Sequence, residues 1–375
     1  MAELVPERAD VGAPAAPAEP AGKADVLGLG EAARRLVSVA VGATAVAVAA
    51  TRGDERGTVC LGRTAAVGGA AAGPATGFDL ASLSKTCTAL LLADAHLRGE
   101  VRLDEPIARH LPPGERPHRG DGGRITPLHL ATHTAGLSRQ PLGLLLTALP
   151  RWTTLPYSRF TADHLRRAAA RSRPWPAPGR YVRYSNHGVG LLGTVLAEAT
   201  GESYEHLLAT RVCAPLGLRD TVAVPAPPAE TVARPGWATG HRNGRPLPPM
   251  TAHGLPAAGG VVSSARDMLR FLEAHLRPAT SPLAAALAEV RRPRLALPRL
   301  DQHLALVWNV RRFPDHDMYF HSGGDRGFAT FAGFSPQADV ALVALANAGP
   351  GRRAEVPKVA YGLLRGLVDE ALAAR

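Results

Sequence analysis

The chain has 375 residues, 46% hydrophobic and 20% charged, a balance that suits a soluble globular protein with an ample core and excludes a disordered or fibrous one. Its net charge of +11 invites a nucleic-acid reading, but the arginines never run longer than a pair and no aromatic platform is interleaved with them, so no nucleic-acid partner is expected. Cys60, Cys87 and Cys213 are odd in number, far apart and free of any Cys-x-x-Cys pair, which indicates neither a disulfide framework nor a metal site, and no cofactor is expected.

Residues 1–30, with Pro6, Pro14, Pro17 and Pro20 among alanines, read as a disordered tail. Glu3, Glu7 and Asp10 stand where a secretory signal would carry its basic region, so a cytoplasmic protein is expected. A short helix follows over Gly30–Leu36. The apolar run Leu36–Ala50 is too short, too β-branched and too Gly-interrupted to cross a bilayer, so no membrane partner is expected. It reads as a buried strand over Ala43–Ala50, and Thr51-Arg52-Gly53-Asp54 turns it into a second strand about Thr58–Arg63.

The stretch Phe78–Asp94, FDLASLSKTCTALLLAD, opens extended and runs into an amphipathic helix whose buried face is Leu83, Thr86, Leu90 and Leu91. Ser82 and Lys85, three apart at its start, project from one face beside unpaired N–H groups and the positive end of the helix dipole. That field disfavours an ammonium, so Lys85 is expected to lose its proton readily and to activate the Ser82 hydroxyl. The alternative is a plain N-cap beside a surface lysine. Composition speaks against it: the only lysines are Lys23, Lys85 and Lys358, in a chain that uses arginine wherever charge alone matters.

From about Gly99 to Pro298 the pattern is helical patches and Pro-rich loops. Helices are expected over Ile125–Leu137, Thr161–Arg171, His187–Thr200, Glu202–Ala209 and Ser263–His275, with Val222–Pro249 as loop. From about Leu300 the runs Ala305–Arg311, Asp317–His321, Phe328–Phe334 and Asp339–Asn347 read as strands, and Val356–Leu372 as a closing helix. The fold class is therefore α/β of the α+β kind, one antiparallel sheet built from both chain ends around a large helical insert. A single catalytic domain over 31–375 is expected, its α/β part at about 31–80 and 300–375 and its helical part at about 81–299.

Two further pieces bear on chemistry. In Tyr184-Ser185-Asn186, Tyr184 and Asn186 lie on the same side of an extended tripeptide, so phenol and amide can face one target; alternatively Tyr184 fills the core. His321-Ser322-Gly323-Gly324 closes a strand, either as a plain turn or as a place where backbone comes close to a ligand.

The order Ser-x-x-Lys, Tyr-x-Asn and His-x-Gly resembles the β-lactamase and penicillin-binding serine hydrolase superfamily, within it the class C β-lactamase, esterase and D-aminopeptidase branch. The likeness covers roughly Leu36 to the end and includes Pro127–Leu137 (PLHLATHTAGL), Pro178-Gly179, Leu191-Leu192-Gly193, Gly259–Ser264 and Asn347. It implies a β-lactamase/transpeptidase-like fold and acyl-enzyme chemistry. It further implies that Ser82 is the nucleophile, Lys85 its base and Tyr184 the proton shuttle, with an oxyanion hole made by the N–H groups of Ser82 and Gly324. Asn186 is expected to orient Lys85 and bind the acyl side of the substrate, with His321, Ser322 and Gly323 as further substrate-binding positions. His321 replaces the lysine of penicillin-recognising members, which favours esters or amides over β-lactams. If His321 binds an anion at an ordinary imidazole pKa, β-lactam turnover should rise as pH falls toward about 6.

The implied function is a serine hydrolase acting on a small ester or amide. The nearest alternative is a cytoplasmic transacylase that passes the acyl group to an amine or alcohol in natural-product (antibiotic) biosynthesis. A true β-lactamase, a D-Ala peptidase and a non-catalytic binding protein remain beside them.

Overall fold

The computed structural model describes residues 25, 27–149, 157, 159–224, 235–248, 254–297, 302–351 and 355–375. The tail expected over residues 1–30 lies outside them except for its last few positions, as does the middle of the loop expected over Val222–Pro249. In chain order the strands are β1 (Ala45–Arg52), β2 (Glu55–Gly62), β3 (Phe78–Asp79), β4 (Val222–Ala223), β5 (His241–Arg242), β6 (Arg245–Pro246) and β7 (Val261–Ser263). They continue with β8 (Leu295–Leu297), β9 (Gln302–Leu304), β10 (Asn309–Arg312), β11 (Asp317–Gly324), β12 (Ala329–Ser335) and β13 (Val340–Ala346).

One antiparallel sheet runs in the order β2-β1-β13-β12-β11-β10-β9-β8, so strands from the two ends of the chain lie side by side, as expected. β1 is buried on both faces, which explains why its sequence does not alternate. Ala47 and Ala49 join the core under the Ala265–Leu276 helix, whereas Val46, Val48 and Ala50 pack beneath the helices Leu29–Val39 and Glu355–Ala373. Asn347, just past β13, ties three segments. Its Oδ1 accepts from the N–H groups of Thr44 and Ala45, and its Nδ2 donates to Thr44 Oγ1 and the Thr239 carbonyl.

Several expected elements change in extent, each for a local reason. The helix expected over Ile125–Leu137 holds only over Pro127–Ala131, capped by Thr126, because His133 (φ 58°) and Gly136 (φ 68°) are left-handed. The strand expected over Ala305–Arg311 begins at Asn309, since Val307 (φ 66°) makes a turn in which the Ala305 N–H reaches the Trp308 carbonyl. Ser263 belongs to β7, and the following helix Ala265–Leu276 is capped by Ser264. The strands β8 and β9, the helices Leu144–Ala148 and Ala284–Arg291 and the short β3-β7-β4 sheet were not expected at all.

The largest correction concerns the nucleophile segment. β3 leads into a 3₁₀ turn over Ala81–Leu83, and the α-helix itself is Ser84–Leu97. That helix is not amphipathic: every residue from Ser84 to Ala95 is buried. Its polar side chains find partners inside. Thr86 donates to the Leu83 carbonyl, Thr88 donates to the Ala257 carbonyl and pairs with Tyr204 OH, and Ser84 Oγ accepts from the Val261 N–H.

His275 lies inside the aromatic core between Phe271 (4.8 Å), Phe334 (5.1 Å) and Trp308 (5.4 Å), with neither ring nitrogen hydrogen-bonded. Burial lowers its pKa to about 3. An unfolded His at about 6.5 binds the proton first, so this residue withdraws stability as pH falls below about 6.5. Relative to wild type, His275→Phe should therefore gain about 1.4 kcal/mol of unfolding free energy per pH unit of acidification below about 6. Urea melts of both proteins at several pH values check this, and a difference that does not change with pH would contradict it.

Candidate active site

The turn Ala81–Leu83 presents Ser82 half-buried at the mouth of the buried helix. Ala81 holds φ 48°, a left-handed conformation that costs a non-glycine residue about 1–2 kcal/mol. Asp79 supports it by accepting the Ala81 N–H at 2.8 Å, and Thr330 donates to the Leu80 carbonyl at 2.9 Å.

Lys85 is completely buried one turn further on. Its Nζ donates to Ser82 Oγ at 3.0 Å and to the Ala258 carbonyl. Enclosure, with a smaller contribution from the nearby Arg139 guanidinium, pushes the lysine well below its ordinary pKa. Desolvation, rather than the helix dipole considered above, thus makes Lys85 a ready base.

Tyr184 also reaches Ser82, its OH 2.7 Å from Ser82 Oγ, and its ring centroid lies 5.1 Å from Lys85 Nζ. Two local devices hold it. Ser185 caps the Asn186–Thr200 helix through the Gly188 N–H, and the Ser185 N–H donates to His133 Nδ1. The His133 ring then lies against the phenol at 4.5 Å. On another side the Arg139 guanidinium stands 5.6 Å from the same ring. Burial raises the phenol to about 12, so Tyr184 carries its proton at neutral pH.

The expected Lys85–Asn186 contact is not formed. Asn186 opens its helix with its backbone N–H on the Arg139 carbonyl, and its side-chain oxygen is buried without a partner. Lys85 already spends its bonds on Ser82 and Ala258, so Asn186 is a polar group held open beside the site rather than an orienter of the lysine.

β11 brings the remaining candidates. β10 pairs with it only through Phe320, so His321–Gly324 are bonded to β12 on one edge alone. Strand alternation places His321 and Gly323 on one face and Ser322 on the other, where its side chain is exposed. Gly323 touches the nucleophile turn: a Cβ there would lie 2.2 Å from the Leu80 oxygen and 3.0 Å from the Leu83 nitrogen. Gly324 follows on the exposed side of the strand.

His321 differs from expectation. It is 4% exposed, its Nδ1 has no hydrogen-bond partner, and burial together with the neighbouring Lys85 lowers its pKa to about 3. It therefore stays neutral across the working pH range, and the rise in anion binding expected near pH 6 has no titrating group behind it. Two residues next to the chemistry were not singled out from sequence, His133 and Arg139. His133 stood inside the PLHLATHTAGL match, but its contact with Tyr184 depends on its own left-handed backbone, which no local pattern announces.

Compared with known proteins, residues 33–364 match the family model described as Beta-lactamase. A beta-lactamase of Escherichia coli K12 is 29% identical over 306 residues, 72% of this chain and 75% of that protein. The D-alanyl-D-alanine-carboxypeptidase/endopeptidase AmpH of the same strain is 31% identical over 212 residues, 52% of this chain and 48% of its own. Esterase EstB of Burkholderia gladioli is 33% identical over 229 residues, 52% of this chain and 56% of its own. The chain thus spans about half the length of the last two.

With a pKa of about 3, the His321 ring should show no titration in imidazole NMR between pH 5 and 8. A midpoint inside that window would mean that the site is wetter than its packing.

Proposed function

The chain belongs to the beta-lactamase family, and from that premise we propose that it is a serine acyl-enzyme hydrolase that cleaves a small ester or amide through Ser82. The family gives the coarser statement, a serine hydrolase. The ester or amide preference and the residue roles are our reading.

One observation carries it: Ser82 Oγ is hydrogen-bonded at once to Lys85 Nζ at 3.0 Å and to Tyr184 OH at 2.7 Å. A serine hydroxyl is a weak nucleophile until a base takes its proton, and a buried lysine held neutral is such a base. In the proposed reaction Lys85 accepts that proton as Ser82 Oγ attacks the acyl carbonyl. The Ser82 and Gly324 N–H groups face the oxyanion that develops. Tyr184 passes a proton to the leaving group; the acceptor then attacks the acyl carbonyl and gives its own proton to the Tyr184 phenolate, and the proton held on Lys85 returns to Ser82 Oγ as the acyl group leaves. The edge of β11 left open past Phe320 offers backbone groups to an extended substrate. Water serves as acceptor in a hydrolase; an amine or alcohol in its place would make the same site a transacylase, and a cytoplasmic setting suits that variant.

The preference for esters or amides rests on His321. A neutral imidazole cannot supply the fixed charge for a β-lactam carboxylate, and a charge-assisted hydrogen bond is worth about 1.5–3 kcal/mol, roughly one to two orders of magnitude in binding. The similarity to Esterase EstB points the same way.

A fluorophosphonate or p-nitrophenyl ester should leave its adduct on Ser82 in peptide mapping, with labelling lost in Ser82→Ala. Assayed side by side, a p-nitrophenyl ester should give a higher kcat/KM than a chromogenic cephalosporin, and the reverse order would sink the reading. Product masses with and without added amines decide the acceptor.

Lys85→Arg should lose about two to four orders of magnitude in kcat, as much as Lys85→Ala, because an arginine cannot act as a neutral base. Activity within a few-fold of wild type would reduce Lys85 to a positive charge.

A further inference from the structure

Asp79 sits three residues before the nucleophile, is 3% exposed, and takes no part in the chemistry set out above. One of its oxygens accepts the Ala81 N–H at 2.8 Å, which holds the left-handed turn that aims Ser82. Its carboxyl is also hydrogen-bonded to that of Asp325, the residue immediately after Gly324. Asp325 Oδ1 in turn accepts the N–H groups of Gly327 at 2.7 Å and Phe328 at 2.8 Å. Two carboxyl groups in direct contact cannot both be ionised there, so they share one proton. The division of roles follows from the donors: Asp325, facing two N–H groups, is the acceptor, and Asp79 brings the proton.

The pair joins the two backbone segments that matter most. On one side Asp79-Leu80-Ala81 leads into Ser82. On the other, Gly324 precedes Asp325. Where the segments touch, at Gly323 against Leu80 and Leu83, they are already too close for a side chain. We propose that Asp79 and Asp325 form a one-proton carboxyl clamp that sets the spacing of the Ser82 and Gly324 N–H groups, which makes both aspartates positioning residues for acyl transfer. The positioning role rests on the acyl-enzyme reading above; the proton sharing does not.

The groups facing the clamp are few. Asp79 meets Asp325 and the Ala81 N–H, and Asp325 also has Arg326 and Tyr157 within electrostatic reach. Burial and the Asp325 charge raise the Asp79 carboxyl well above the ordinary carboxylate range. The stability it contributes is complete below the unfolded carboxylate pKa of about 4 and is lost as pH rises through the raised value. Loss of the proton places two charges in contact and opens the clamp, so turnover and stability should decline together on the alkaline side.

Asparagine copies the protonated form, its oxygen accepting from Ala81 and its NH2 donating to Asp325 without a titrating proton. We would measure kcat and KM for a p-nitrophenyl ester from about pH 5 to 10 in wild type, Asp79→Asn, Asp325→Asn and Asp79→Ala. Urea unfolding across the same range and the mass of the Ser82 adduct would be followed in parallel. The clamp predicts that Asp79→Ala lowers kcat about 10- to 100-fold with KM within about 3-fold, since a misplaced oxyanion donor costs rate rather than binding. It further predicts that Asp79→Asn recovers most of that rate and removes the alkaline decline from both kcat and stability, whereas Asp325→Asn, which leaves the buried Asp79 carboxyl to titrate, keeps a decline and moves it to a different pH. An alkaline decline unchanged in Asp79→Asn, in either measurement, overturns the shared proton. Loss of the decline in stability with kcat following its wild-type profile overturns the positioning role and leaves a structural bond. Failure of the wild type to form any Ser82 adduct overturns the acyl-enzyme reading and the positioning role with it, while the unfolding curves still decide the proton.

Discussion

Every residue from Ser84 to Ala95 is buried, and that enclosure places a lysine where water does not reach it. An ammonium in such a place loses its hydration, so the neutral amine is favoured and the lysine becomes a base at ordinary pH. The same enclosure dictates the neighbourhood. A neutral amine still has N–H groups to satisfy, and the Ala258 carbonyl and Ser82 Oγ receive them. Thr88 reaches Ala257 and Ser84 takes the Val261 N–H, so the backbone from Ala257 to Val261 is stitched to the helix by the side chains that solvent cannot serve. The segment Gly259–Ser264, part of the family likeness, is thereby tied to the nucleophile helix through the Val261 N–H on Ser84 Oγ.

Burial has the same effect on the imidazoles around it. His133 and His321 are each lowered to about 3, with Lys85 among the causes in both cases. Three nitrogen bases that would repel one another as cations share one enclosure because burial disfavours a charge on each of them. The Arg139 guanidinium lies on the exposed rim beside Tyr184, where solvent can reach it. Positive charge therefore stays at the edge of the site while the interior holds proton acceptors.

The sequence made much of this legible. Ser82 and Lys85 stand out through spacing and lysine scarcity and Tyr184 through the family resemblance, and the structure brings Lys85 and Tyr184 onto the Ser82 oxygen. The sheet made from both chain ends followed from where the β-rich runs fall. What remained hidden depends on packing between distant segments. The helix after Ser82 shows an amphipathic pattern only if Ser84 and Thr88 are counted as solvent-facing, and their partners lie more than a hundred residues away. His321 was legible as a histidine, but its neutrality comes from enclosure that no local window contains. Left-handed backbone at His133 and Val307 cut short a helix and a strand that local propensity would have continued. Asp79 belonged to the same matched stretch as Ser82, yet nothing in its surroundings pointed to a partner at Asp325.

The geometry also limits how charge can be created in the site. In the proposed reaction, moving the Ser82 proton to Lys85 makes an ammonium at a completely buried position as an oxyanion forms on the substrate. The ammonium has no water to stabilise it and depends on a fixed dipole already in place, the Ala258 carbonyl, while backbone N–H groups are there to meet the oxyanion. Dipoles that need no reorganisation are worth more in a dry site than in water, because nothing screens them. The same logic makes the site sensitive to small displacements of the turn Ala81–Leu83. That turn carries one donor in a strained conformation, and it is kept there by side-chain bonds from Asp79 and Thr330 rather than by regular secondary structure. In the proposed reaction the strain at Ala81 is the cost of presenting the Ser82 hydroxyl and N–H to the substrate, and the bonds from Asp79 and Thr330 offset it.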